Sequence, residues 1–85
     1  MDKKKILVVD DEEDVRETLS TVLDNLDYEP YVAADGEEAL ETIRQKPIDI
    51  ILSDLYMPGM NGIELLKRVK SEKKRAKKLF IFNLS

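Results

Sequence analysis

Apolar residues along this chain come in short blocks of two kinds, unbroken runs and spaced stripes. Lys5-Ile6-Leu7-Val8-Val9 is an unbroken run rich in β-branched residues that stops at five consecutive acids, Asp10-Asp11-Glu12-Glu13-Asp14. Such a run predicts a strand buried on both faces. Val15, Leu19, Val22, Leu23 and Leu26 then recur mostly three and four apart, which predicts one apolar stripe on a helix. The acids around its first turn suit the positive end of the helix dipole. Pro30 to Ala34 reads as a second, weaker strand, and Asp35-Gly36 as a turn opening a helix that carries Ala39, Leu40 and Ile43 and ends at Pro47. Asp49 to Ser53 is another buried strand, Asp54 to Gly62 a loop, and Ile63, Leu66 and Val69 one side of a third helix. Leu79-Phe80-Ile81-Phe82 predicts a fourth strand after a basic stretch.

Strands alternating with helices of this length imply right-handed crossovers and a parallel α/β sheet. At 85 residues the chain makes one domain with a thin core. No stretch approaches the roughly 20 apolar residues of a membrane span, and the apolar run after Lys5 is too short for a signal peptide, so a cytoplasmic protein without a membrane partner is expected. Cysteine and histidine are absent, which removes disulfides, thiolate chemistry, the usual zinc sites and any imidazole base. Charge is uneven: residues 1–66 hold 17 acids against 6 bases, and 67–78 hold 8 bases against one acid. The basic run, without interleaved aromatics in an otherwise acidic chain, reads as a solvated helix face and linker rather than a nucleic-acid contact.

In open parallel sheets, ligand sites form beyond the carboxyl ends of the strands. Asp10, Asp11 and Asp54 all fall there, on strands expected to be neighbours roughly 5 Å apart. Clustered carboxylates raise one another's pKa and cost stability unless a cation or protons compensate. A hard divalent ion suits an all-oxygen site; Mg2+ is the natural choice, Ca2+ a possible one, and a backbone carbonyl from Asp54-Leu55-Tyr56 could add a further oxygen. With no Cys, His or serine elbow on offer, a carboxylate is the best available nucleophile, and aspartyl-phosphate chemistry is within its reach. Each piece has a plainer explanation: Asp10 and Asp11 as a helix-capping cluster, Asp54 as a turn former, and Met57-Pro58-Gly59 and Asn61-Gly62 as turns. Their convergence at one sheet edge favours the site.

Three segments in order, Ile6 to Asp11, Asp35 to Leu40 and Asp49 to Gly62, resemble the response-regulator receiver domains of two-component signalling. The resemblance is clearest over residues 4–70, with 71–78 a basic linker and 79–85 the fourth strand of a partial receiver domain spanning 1–85. It implies a flavodoxin-like sheet in the order 2-1-3-4-5, cut here to about four strands and three helices. It also implies phosphorylation of Asp54 from a histidine kinase, a phosphotransfer protein or a small phosphodonor. Asp11, Asp54 and the backbone carbonyl of Tyr56 would ligate Mg2+, and Asp10 would act through a bound water. The chain would be a phosphoacceptor rather than an enzyme acting on other substrates.

The sequence also departs from the family pattern. A Ser or Thr expected at the end of the fourth strand is matched at best by Ser85, and the family's phosphoryl-binding lysine after a fifth strand has no counterpart. Lys77 and Lys78 precede a strand, at the wrong edge to replace it. An apolar fourth-strand edge without later elements predicts a homo-oligomer, formed through that strand or by element exchange. The competing function is a self-associating, non-signalling fragment that keeps the acidic pocket. A haloacid-dehalogenase-type phosphatase would need an acid where Tyr56 stands, and five acids after the first strand would repel the phosphate of a flavin.

Overall fold

The computed structural model describes residues 3–72 and the backbone of 78–82. The elements run β1 (Lys5–Val9), α1 (Glu13–Asn25), β2 (Glu29–Ala33), α2 (Gly36–Gln45), β3 (Ile50–Asp54), α3 (Gly62–Ser71) and β4 (Lys78–Phe82). All four strands are parallel, in the order β2-β1-β3-β4. This is the flavodoxin-like α/β arrangement expected from the alternation and the resemblance. Boundaries shift by one residue: β2 begins at Glu29, and β3 takes in Asp54, which pairs with Phe82 rather than opening the loop. The basic stretch divides between the end of α3 at Ser71 and the start of β4 at Lys78.

Alternation along each strand sends side chains to opposite faces. Leu7, Val9, Ala33 and Ile51 face α2 and α3, where they meet Ala39, Leu40, Ile43, Leu65 and Val69 in the larger buried cluster. Ile6 and Val8 face α1 and form a small cluster with Leu23, flanked by half-buried Leu19, Tyr28, Ile50 and Leu52. Among the described residues, two helices thus cover one face and one covers the other, so the burial they supply is lopsided. Each fully buried side chain of this size stabilises by about 1.5–3 kcal/mol relative to exposure.

The helices correct two of the stripes read from spacing. On α3 the buried face is Gly62, Leu65 and Val69, with Leu66 half-buried and Ile63 49% exposed. Leu65 lies four residues before Val69, and the helix turns so that this pair meets the sheet. On α1 only Leu23 is fully buried; Val22 is 46% exposed and Leu26, at the C-cap, 62%.

Helix starts are set by side chains that satisfy free backbone donors. Asp35 accepts a hydrogen bond from the Glu38 N–H at 2.8 Å, and Asn61 accepts one from the Glu64 N–H at 2.9 Å. Caps of this kind contribute about 1 kcal/mol each. Both sit where the chain leaves the carboxyl edge of the sheet, so they fix the loops that frame that edge. No described helix is long and apolar enough to cross a membrane.

Candidate functional site

The register fixes the site. Val9 pairs with Ser53 across β1 and β3, so Asp10 and Asp54, each the next residue, emerge side by side at the carboxyl edge. Asp10, Asp11 and Asp54 each bring a carboxylate oxygen within 4.8 Å of the others. Asp10 and Asp54 are buried, at 1% and 2% exposure, while Asp11 is exposed. The cluster therefore has a buried floor and an open side.

Local bonds orient two of the carboxylates and leave capacity unused. Asp10 Oδ1 accepts the Glu12 N–H at 2.9 Å, which closes the turn leading into α1; it does not cap the helix, whose N-cap is Glu12 without a side-chain cap bond. Its second oxygen, Oδ2, is buried without a hydrogen-bond partner. A buried carboxylate oxygen left unpaired is costly and is the natural partner of a cation. Asp54 Oδ1 accepts the Tyr56 N–H at 3.0 Å, the turn role read from its position. Turn formation at both positions thus coexists with convergence, each turn using only part of its carboxylate.

Burial pushes the Asp10 carboxyl above its ordinary value of 3.8; the Glu12 N–H opposes this, the Asp54 and Asp11 charges add to it, and Arg16 opposes it. This is the signature of a charge that folding has taken from water and set beside like charges. A hard divalent cation answers both problems, and an all-carboxylate, partly open donor set fits Mg2+. The residues present therefore fit the ion implied by the sequence.

Arg16 does not stand out by its spacing. Its Nη1 donates to the Asp10 backbone carbonyl at 2.8 Å and so ties the turn after β1 to the first turns of α1. The only hint in the sequence is that it is the one base between Lys5 and Arg44. The loop after Asp54 is anchored by buried Met57 and Met60 and closed by the Gly62 N–H donating to the Leu55 carbonyl at 3.1 Å. Gly59, at φ +78°, takes the left-handed conformation its turn requires. Tyr56 is 69% exposed at the rim. Ser85 and Lys77 lie outside the described residues, and Phe82, three positions before Ser85, is already level with Asp54. Lys78 pairs with Ile50, at the far end of β3 from Asp54, as expected of a residue at the wrong edge.

Comparison with known proteins agrees with this geometry. The family described as the response regulator receiver domain matches residues 6–83. Sporulation initiation phosphotransferase F of Bacillus subtilis is 41% identical over 70 residues, covering 82% of this chain and 56% of that protein. The chain thus spans little more than half of that relative, and 29% of the response regulator GtcR of Aneurinibacillus migulanus. Among solved structures, the chemotaxis response regulator CheY4 of Vibrio cholerae is 34% identical with a TM-score of 0.88, over 94% of this chain and 68% of that one. The response regulator TrrA of Thermotoga maritima, in complex with Mg2+ and BeF, is 40% identical with a TM-score of 0.81, over 92% of this chain and 69% of that one. TrrA has also been solved in complex with the histidine kinase ThkA.

Proposed function

Because the chain belongs to the response regulator receiver domain family, we propose that it is the phosphoacceptor module of a two-component system and that Asp54 accepts the phosphoryl group. The observation that carries this reading is the convergence of Asp10, Asp11 and Asp54 at one sheet edge, with a buried Asp10 oxygen left without a partner. Receiver domains act as phosphoacceptors, and Asp54 lies at the end of a buried strand, which supports this reading.

Asp11, Asp54 and the Tyr56 backbone carbonyl are the protein ligands this reading assigns to Mg2+, with Asp10 acting through a bound water. The ion, when bound, neutralises charge between the carboxylate and the incoming phosphoryl group. The remaining work falls to the chain. Asp54 has one oxygen held by the Tyr56 N–H and the other as nucleophile. That oxygen attacks phosphorus, the P–N bond of a donor phosphohistidine breaks, and the departing imidazole takes up a proton. Burial of Asp10 and Asp54 keeps most water from the floor of the pocket.

The complexed histidine kinase of the TrrA structure supports a kinase or phosphotransfer protein as donor. Self-association belongs to the same reading: β4 is an edge of the described sheet and offers one side of its backbone to a second copy. Sedimentation across a wide concentration range checks this, and a monomer throughout would remove it.

Incubation with acetyl phosphate and Mg2+ is expected to add one phosphoryl group per chain, seen by intact mass. Asp54→Asn, or a chelator, is expected to abolish the addition. No incorporation from acetyl phosphate or a phosphorylated kinase would instead favour the fragment that keeps the pocket without signalling.

A further inference from the structure

Gly36 opens α2 and is buried against the loop that follows Asp54. A Cβ placed there would lie 2.6 Å from the Met60 sulfur, 2.9 Å from Met60 Cβ and 3.0 Å from Met60 Cγ. Backbone conformation does not demand glycine, since Gly36 is not among the positive-φ residues. The demand is for space, and Met60 fills it.

The identity of the crowded atoms decides what a larger residue would do. The sulfur could swing away, but Cβ moves only with its backbone. Met60 is itself packed in the larger core cluster with Met57, so it has little room to retreat. Its loop is closed by the Gly62 to Leu55 hydrogen bond and begins with the Tyr56 N–H held by Asp54 Oδ1. A displacement at Met60 is thereby passed to Tyr56 and Asp54.

We propose that Gly36 is a positioning residue for the metal site, its missing side chain letting Met60 seat the β3–α3 loop so that Asp54 and the Tyr56 carbonyl face the cation. This rests on the phosphoacceptor reading above. It assigns to the start of α2, which contributes no ligand, a part in the affinity for Mg2+.

The test is a double-mutant cycle read by calorimetric titration with Mg2+ alone, at a temperature where circular dichroism shows every variant folded. Gly36→Ala is expected to weaken Mg2+ binding roughly tenfold, the scale of changes in groups that orient metal ligands. In a Met60→Gly background, which removes all three crowded atoms, the same Gly36→Ala change is expected to cost less than about twofold. Ile6→Val, a core change in the separate cluster against α1, is expected to leave affinity unaltered although it lowers the melting temperature. Equal affinity in Gly36→Ala and the parent, or the same loss in both backgrounds, overturns the proposal. Should Gly36→Ala alone fail to fold, the double variant must fold and bind like Met60→Gly, and its failure to do so also overturns the proposal. Absence of Mg2+ binding by the unaltered chain would instead remove the underlying metal reading.

Discussion

Asparagine at position 10 is expected to raise the melting temperature of the metal-free protein while weakening its hold on Mg2+ roughly tenfold. The amide keeps the oxygen that accepts the Glu12 N–H, and it replaces the unpartnered Oδ2 with a donor facing acceptor carboxylates. The substitution removes a buried carboxylate that folding sets beside Asp54 and Asp11, so it relieves the cost of that burial and of the like charges.

The pH dependence follows from the direction of the Asp10 shift. Its folded-state carboxyl titrates above 3.8, chiefly through burial. Its favourable contribution is therefore fully present below the unfolded value and lost as pH rises through the folded one. The advantage of Asp10→Asn is expected to be largest near neutrality and to shrink as pH falls through the raised Asp10 value. Saturating Mg2+ opposes this advantage: at 100 times the parent's dissociation constant it adds about 2.7 kcal/mol to the parent and about 1.4 kcal/mol to a variant that binds tenfold more weakly. Thermal melts with and without Mg2+ should show the variant's lead shrink accordingly. A variant no more stable than the parent at neutral pH without Mg2+ would show that Asp10 is not the strained carboxylate of the pocket.

Ile51→Ala is expected to cost about 2–5 kcal/mol, the range for emptying a well-packed aliphatic site. Ile51 is 1% exposed in the larger cluster, beneath α2 and α3 and three residues before Asp54. For a small domain, whose total stability lies at the lower end of about 5–15 kcal/mol, that loss leaves little margin. Leu52→Ala, one residue along and on the α1 face, is expected to cost much less, because Leu52 is only half-buried beside a single helix. Urea midpoints measure the difference directly. Equal midpoints would mean that the two faces of the sheet carry equal weight.

Much of this architecture is legible in the sequence because buried strands leave unbroken apolar runs. Ile6 to Val9 and Ile50 to Leu52 form β1 and most of β3, and Asp35 and Asn61 mark their helix starts through a side-chain oxygen that needs no tertiary context. Helix faces are less legible. Spacing admits both Ile63 and Leu65 as members of an apolar stripe on α3, and only the angle at which the helix meets the sheet buries the second and exposes the first. The same holds for Val22 on α1 and Leu26 at its C-cap, which the spacing includes in the stripe and the structure leaves 46% and 62% exposed.

The site divides in the same way. Sequence alone determined which carboxylates lie at strand ends and, with no Cys or His in the chain, that the groups gathered there offer oxygen donors. Tertiary structure decided how they are used: the Val9 to Ser53 pairing sets Asp10 beside Asp54, Arg16 ties down the first turn, and Met60 seats in the space Gly36 leaves. Local sequence records conformational preference and polarity one residue at a time. A register between strands 44 residues apart, an orphaned carboxylate oxygen or a methionine against a glycine exists only once distant segments share the same space.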